Sequence, residues 1–566
     1  MTDRVTISDA LRARIRQAAQ TVSTSLRPKP KASGRAPAFK SVSAARPYGS
    51  RQRGADLVSG RWSFGGHSLD VGAHGHPFAA TLPSERFADW LHSFDWLADL
   101  LSAPGGEAKA GQLAAQWSDS FAGGNLFVFG PDLLARRTLN WGRMLSALTG
   151  PDDVIERRYA GQMRLLRRNI SRCSPGLPRL RAHASLVIYG ARLADKGQTV
   201  LAKALDGLDE DITQQVLADG GHVTRSPLNT LLALEALLFA DTILQTASVE
   251  GSRALSRAID RMRPMIATLR HTDGGLGVFH GGDAGDPARI AAILKTLDGD
   301  PQPFAYCPHT GYQRLEAGGT VLLLDAGGVP PRPYDLETHL APLALEMSTA
   351  EGRLLVNCGW HAGAAPAWRR PVRASAAHSA ITLGNRSPGR ILETGFLADA
   401  VGPAIAEGPE AVQARRKEQS SGIWLESSHD GYKTTHGLAH RRRLFVGESG
   451  DDIRGEDSLY VPLGDVPLGR DSVPYALRFH FHPDVQVSLA QDMSSALLVQ
   501  NGRSGWRFRT DGGPLAVESS VYLGGGARPV KCQQLVITGQ ALADGDGQGR
   551  ENRVRWSLRR LKGRSA

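Results

Sequence analysis

The sequence predicts an all-α region followed by an all-β region, and three observations carry that reading. Apolar residues recur at helical spacing from about Phe87 to Leu294, then at period two beyond about Pro301. The breaks in the first half are short and rich in Gly, Pro or Asp (APGGE, TGPDD, SPGLP, DGGH), as in stacked helices. The two patterns do not interleave, which argues for two successive domains rather than an α/β fold. At 566 residues the chain also exceeds what one core usually serves.

Taken in order, Thr6 to Thr21 has Leu11, Ile15 and Ala18 at helical spacing and predicts a short amphipathic helix. From about Ser23 to Ala55 the composition turns to Pro, Lys, Arg, Ser and Gly. That stretch has too little apolar surface to offset its ordering entropy and predicts a flexible basic arm, placed at residues 1–75. Residues 76–300 form the helical domain. Trp90, Leu91, Phe94, Leu97 and Leu100 make one apolar stripe, and Leu231, Leu232, Leu234, Leu237 and Leu238 make a wider one. Residues 301–560 hold β-branched, alternating runs such as GTVLLLDAGG, GIWLESSHDG, ALRFHFHP and QQLVITG, which predict an antiparallel β-sandwich.

Composition narrows the function. Hydrophobic residues at 41% and charged residues at 22% describe an ordinary globular protein. The formal charge of +11 favours a polyanionic partner, nucleic acid or acidic polysaccharide. Part of that charge reads as tail, because the last fourteen residues hold Arg553, Arg555, Arg559, Arg560, Lys562 and Arg564 with no acidic residue. The four cysteines are scattered without a CxxC pair, against a disulfide framework or thiolate zinc site. No run of about eighteen apolar residues predicts a membrane span. The charged start lacks the apolar core of a secretory signal, so the expected location is cytoplasmic. The pattern assigns no oligomeric state.

Several side chains stand out as chemistry. His222 and Arg225 lie three apart beside a helix start marked by Ser226 and Pro227, where a helix N-terminus favours an anion. Arg225 has the planar fork that binds both oxygens of a uronate carboxylate, and His222 reads either as a cleft residue or as the cap of a turn. Tyr432 follows His429 and stands near His436, His440 and Arg441, and positive surroundings would favour its phenolate. His429 and Arg441 are then substrate-binding candidates beside it. His480 and His482 alternate along a strand and should share a face. The DGGLGVFHGGD segment lacks a phosphate-loop pattern and reads as a substrate-lining loop, with His280 and Asp283 as sugar contacts. Tyr312 is expected to pack in the first strand of the sandwich.

Taken together, these segments resemble the heparinase II/III-like family, in its uncharacterised bacterial branch. The resemblance rests on DGGHVTRSP (219–227), AIDRMRPM (258–265), LRHTDGGLGVFHGGD (269–283), SAAHS (375–379), HDGY (429–432), HRRRL (440–444) and LRFHFHP (477–483), in that order. It spans roughly Phe87 to Leu558. What it implies is an incomplete α/α toroid abutting the β-sandwich, an active cleft between them, and cleavage of a uronate-containing polysaccharide by β-elimination.

Such elimination needs donors or cations for the developing enolate, a base for the proton and an acid for the leaving oxygen. The resemblance implies Asn229 as charge neutraliser, with His222, His378 and Tyr432 completing the catalytic set. It also implies His378 and His480 as ligands of a zinc ion, with Glu393 and Asp399 as alternative carboxylate ligands. It implies the periplasm or cell envelope as the alternative location. Two departures separate this chain from active relatives: no tyrosine occurs between Tyr189 and Tyr306, and Ala376 stands where some relatives have a second histidine. A catalytically degenerate protein that binds acidic polysaccharide is therefore the alternative to a lyase. Nucleic acid is not an expected partner, because no recognised module for it is present.

Overall fold

The computed structural model describes residues 48–561, apart from 149–152, 196, 296–298, 300, 469–470, 548, 550 and 551. It also describes residues 6, 8, 10, 11, 14, 36–40 and 42. Most of the amphipathic segment and the early basic stretch lie outside the described residues.

The helices pack around an apolar centre. Helix Pro227–Thr246 is apolar on most sides and sits in that centre, with Ser226 accepting from Asn229 N at its start and proline in its first turn. It is the one described helix long and apolar enough to cross a membrane, yet 72% of its most apolar window is buried within the protein. Helices Pro131–Arg143, Leu177–Arg192 and Arg253–Thr268 pack on one another or on it. Trp96, Trp117 and Trp141 gather around Phe94, with ring centroids 4.7–6.1 Å away in stacked-tilted and edge-on contacts.

The expected arm to residue 75 is corrected for its described part. Helix Arg51–Val58 is capped by Ser50, and the hairpin Arg61–Phe64/His67–Asp70 follows it. Trp62 of that hairpin is fully buried, edge-on to Trp96 at 4.9 Å. One tryptophan and the Arg53–Asp99 ion pair (2.7 Å) give this short segment the buried surface and partner that its composition concealed.

The β-domain is two antiparallel eight-stranded sheets. One runs in the spatial order Val412–Gln419, Gly422–His429, Ala439–Gly447, Asp452–Tyr460, Arg553–Arg560, Ser504–Thr510, Ser495–Gln500 and Val485–Leu489. The other runs Leu515–Tyr522, Val530–Leu542, Ser472–Phe481, Gly352–Val356, Leu345–Thr349, Thr320–Asp325 and Tyr312–Ala317, with Ile381–Leu383 also paired to Ser472–Phe481. Their inner faces share one core that includes Leu444, Phe479, Trp506 and Trp556. The basic C-terminal segment is therefore not a tail: Arg553–Arg560 is an interior strand, while Lys562 and Arg564 lie outside the described residues.

Two buried ionic hubs join the domains. Arg225, in a left-handed backbone conformation (φ 59°), donates from Nε to Thr310 O (2.6 Å), from Nη1 to Gly328 O (2.8 Å) and from Nη2 to Asp325. Tyr312, packed on Phe279 as its strand position predicts, donates its hydroxyl to Arg225 O at 2.6 Å. Asp219 accepts from the backbone N–H groups of His309 and Thr310 and from the Thr310 hydroxyl. In the second hub Glu346 is fully buried, 3.0 Å from His271 Nε2, and accepts from Val278 N, Asn357 N and Asn357 Nδ2.

Removing one partner of a buried pair leaves an uncompensated charge. Asp325→Ala should therefore cost about 3–5 kcal/mol in chemical denaturation, and adding Arg225→Met should recover much of that loss. An Asp325→Ala protein as stable as the parent would contradict the role given to this hub.

Candidate functional site

The structure brings some of the sequence-predicted residues together, but in buried structural sets. Arg225, the expected uronate ligand, has its guanidinium occupied by Asp325 and two backbone carbonyls. His280 is buried with Nε2 2.8 Å from the other Asp325 oxygen, which also corrects its reading as a sugar contact. The neighbouring arginine and histidine hold the Asp325 carboxyl well below the ordinary range against the opposing effect of burial.

His339 continues this set. Its ring nitrogens face the backbone N–H groups of His280 (3.2 Å) and Gly281 (2.9 Å), and its ring centroid is 4.5 Å from that of His378. Nε2 of His378 lies 2.8 Å from Val372 O and so carries the proton. Burial, the largest cause, pushes this imidazole down to about 4. His222 is also fully buried, between Gln215 Oε1 (3.2 Å) and Thr224 Oγ1 (2.8 Å), and burial lowers it to about 4. This is the capping alternative rather than the cleft one. Asn229 is half-buried and donates from Nδ2 to the same Thr224 hydroxyl at 3.2 Å.

Tyr432 requires the sharpest correction. Its hydroxyl is buried and donates to Ile381 O at 2.9 Å, and burial raises the phenol above its ordinary range. The nearby positive charges do not favour a phenolate because they are neutralised or turned elsewhere. His429 is buried, with Nε2 3.2 Å from His440 Nδ1, and His440 faces Asp457 at 2.8 Å. Arg442 also binds Asp457 at 2.8 Å. Arg441 lays its guanidinium over the Tyr460 ring at 5.1 Å, and the buried His429 ring packs beside Tyr432 at 5.7 Å.

The zinc ligands expected at His378 and His480 do not fit a metal. Nε2 of His480 lies 3.1 Å from Ala376 O and Nδ1 lies 2.7 Å from Ser520 Oγ. Glu393 is exposed and paired with Arg370, and Asp399 is exposed on the short helix Phe396–Val401. Among the described residues no three His, Cys, Asp or Glu side chains converge as a metal site.

An open cleft lies elsewhere, where the helical domain meets loop 361–371 of the β-domain. It encloses about 660 Å³ and is lined by Arg136, Asn140, Arg143, Arg181, Arg289 and the backbone around Ala362, among others. Arg136, Asn140 and Arg143 fall at i, i+4 and i+7, so one face of Pro131–Arg143 is polar while Leu133, Leu134 and Leu139 lie buried. The i, i+4, i+7 spacing of that stripe is legible in the sequence, but nothing there shows that it faces a cleft.

The charges in this cleft are not all matched. Arg136 binds both Asp89 and Asp95, and Arg289 binds Glu235 through two hydrogen bonds. Among the described residues, neither Arg143 nor Arg181 has a carboxylate within 4 Å. Arg143 lies over the Phe239 ring at 4.0 Å, and its buried Nε has no partner. Burial lowers both guanidiniums to about 10, so both remain cationic at neutral pH. Asp95 and Glu235, paired directly with Arg136 and Arg289, act on both only from beyond ion-pair distance, so two desolvated cations without a direct partner leave this cleft able to take a ligand anion. His361, which precedes Ala362 of the lining, accepts at Nδ1 from Gly363 N (3.0 Å), and its Nε2 lies 3.7 Å from Asp283 Oδ2.

The β-domain also has a larger cavity of about 1160 Å³. Its charged rim is largely self-neutralised, through Arg370–Glu393, Arg390–Glu407 and Lys433–Asp465. It is the weaker candidate for an anionic ligand.

Comparison with known proteins agrees with this architecture. The family profile described as heparinase II/III-like, C-terminal, matches residues 299–557. FtsZ-localized protein C of Caulobacter vibrioides (strain NA1000 / CB15N) is 35% identical over 534 residues, covering 92% of this chain and 90% of that protein. A heparinase III crystal structure superposes with a TM-score of 0.66 at 11% identity, over 92% of this chain and 87% of the other. A mutant heparan sulfate lyase from Pedobacter heparinus gives 0.59 at 14% identity, over 95% and 87%. At these identities the two structures establish the fold.

The buried imidazoles predict an acid-sensitive fold. With folded values near 4, His222 and His378 stay neutral while the unfolded chain takes up protons near its ordinary 6.5. The unfolded state thus binds more protons between about 6.5 and 4, so stability falls as pH drops through that window. The expected slope is about 1.4 kcal/mol per pH unit for each histidine. Denaturation midpoints across this range should show the decline, and His378→Gln should flatten it; an unchanged slope would contradict the assignment.

Proposed function

The chain belongs to the heparinase II/III-like family, and from that premise we propose that it binds an acidic, uronate-containing polysaccharide in the cleft between its two domains. The observation that carries the reading is the buried Arg143–Arg181 pair, which among the described residues has no direct ion-pair partner. Each guanidinium presents a planar fork to a carboxylate, and the wall around them limits competition from water. Phe64 and Phe127 on the same wall offer apolar faces for sugar rings.

Recognition is better supported than cleavage. The fold is that of polysaccharide lyases, but His222, His378 and Tyr432 are buried, hydrogen-bonded and absent from the cleft lining. Burial also disfavours the charged forms through which they would exchange protons. One arrangement favours a second reading, β-elimination. In it Arg143 and Arg181 would stabilise the enolate formed when solvent takes the proton alpha to the uronate carboxylate, and solvent would return a proton to the glycosidic oxygen as its bond to the ring breaks.

The two readings separate in one experiment on the full chain with alginate, heparin and glucuronate-containing exopolysaccharide. Retention on at least one immobilised polymer should weaken about tenfold or more in Arg143→Met/Arg181→Met, without a rise in ultraviolet absorbance from an unsaturated product. Retention equal to the parent would sink the cleft assignment. An absorbance rise in the parent that Arg143→Met/Arg181→Met abolishes would instead establish elimination.

The name of the Caulobacter relative supports a further proposal, that this chain also localises with FtsZ. A fluorescent fusion should then overlay labelled FtsZ in the native cell. Uniform cytoplasmic signal, or periplasmic signal apart from FtsZ, would contradict it.

A further inference from the structure

The outer face of the first sheet carries a pattern the cleft does not explain. Antiparallel register aligns Trp424, Phe445, Arg454, Ser557 and Arg509 in one row across five strands. At about 4.8 Å per strand the row is roughly 19 Å long, enough for several linked sugar rings. A neighbouring row places Glu426, Arg443, Glu456 and Arg555 side by side, and on the other flank Arg559 stands between Asp452 and Arg507.

The middle row is sticky and accessible. Trp424 is 46% exposed although it sits in a strand, and its ring lies 4.6 Å from Phe445. The Arg454 guanidinium covers the Phe445 ring at 5.6 Å. Together with Arg443, Arg509 and Arg555, these residues border a depression of about 510 Å³, within the size range of small-ligand sites. The flanking charges are partly paired: Glu456 bridges Arg443 (3.1 Å) and Arg555 (3.2 Å), and Asp452 bridges Arg454 (2.6 Å) and Arg559 (3.3 Å). Arg507 and Arg509 are exposed, and among the described residues neither has an ion-pair partner.

We infer that this sheet face is a second binding surface for an acidic oligosaccharide, separate from the interdomain cleft. Trp424 supplies a platform for the apolar face of a pyranose ring. Arg507 and Arg509 supply free cations for carboxylates along the polymer. The carboxylates of Glu426, Asp452 and Glu456 accept hydrogen bonds from sugar hydroxyls. Arg454 covers the Phe445 ring and leaves Trp424 as the open ring of the row, so the face lacks the series of stacking aromatics that single-stranded nucleic acid uses, which favours sugar. The inference shares with the proposed function its polymer class, but none of its residues.

The test uses the full chain with alginate, heparin, glucuronate-containing exopolysaccharide and single-stranded DNA at several salt concentrations. Trp424→Ala and Arg507→Ser/Arg509→Ser should each weaken binding of at least one acidic polysaccharide about tenfold, with unchanged melting curves. Adding Arg143→Met/Arg181→Met should lower the remaining binding further, because the two surfaces act separately. Parent-like binding by both face variants, or a loss confined to DNA, would overturn the inference. If the cleft variant alone binds like the parent, the cleft reading fails and this one stands. Failure of all three polysaccharides to bind the parent would defeat both.

Discussion

The buried contact of Arg225 with Asp325 fixes how the two domains meet. Arg225 precedes the central helix Pro227–Thr246, while Asp325 ends a strand of the second sheet. Taking both charges out of water is costly, and the geometry compensates by filling the remaining donors with Thr310 O and Gly328 O. His280 occupies the second Asp325 oxygen, and His339 and His378 pack behind it. The region where the resemblance placed catalysis is thus a sealed junction. The space left open lies farther along the helices, lined by Arg136, Arg143 and Arg181.

Much of the fold was legible because it depends on periodicity. The period-3.6 stripes became buried helix faces, and the alternating runs became strands of a sandwich. The N-terminal boundary is not legible from composition, because buried Trp62 and Leu57 outweigh a stretch of Arg, Gly and Ser in deciding whether residues 51–70 fold. The C-terminal arginines were misread for a related reason: Val554, Trp556 and Leu558 alternate with them and face the core.

The site was less legible because a residue's type does not reveal whether its partner is internal. Arg225 has the fork a uronate needs, but Asp325, one hundred residues away, fills it. Tyr432 stands among basic residues in sequence, yet a backbone carbonyl takes its hydroxyl and burial excludes the phenolate. Arg143 and Arg181 come from separate helices, so their shared lack of a direct ion-pair partner emerges only when Pro131–Arg143 and Leu177–Arg192 pack together. The resulting account is a lyase-type scaffold whose accessible chemistry is cationic and suited to holding an acidic polymer.

A crystal structure of the full chain with a bound uronate oligosaccharide tests this account most directly. It predicts a sugar carboxylate within hydrogen-bonding distance of Arg143 or Arg181, with the glycosidic bonds intact. An oligosaccharide bound at neither arginine, or recovered with an unsaturated end, would contradict it.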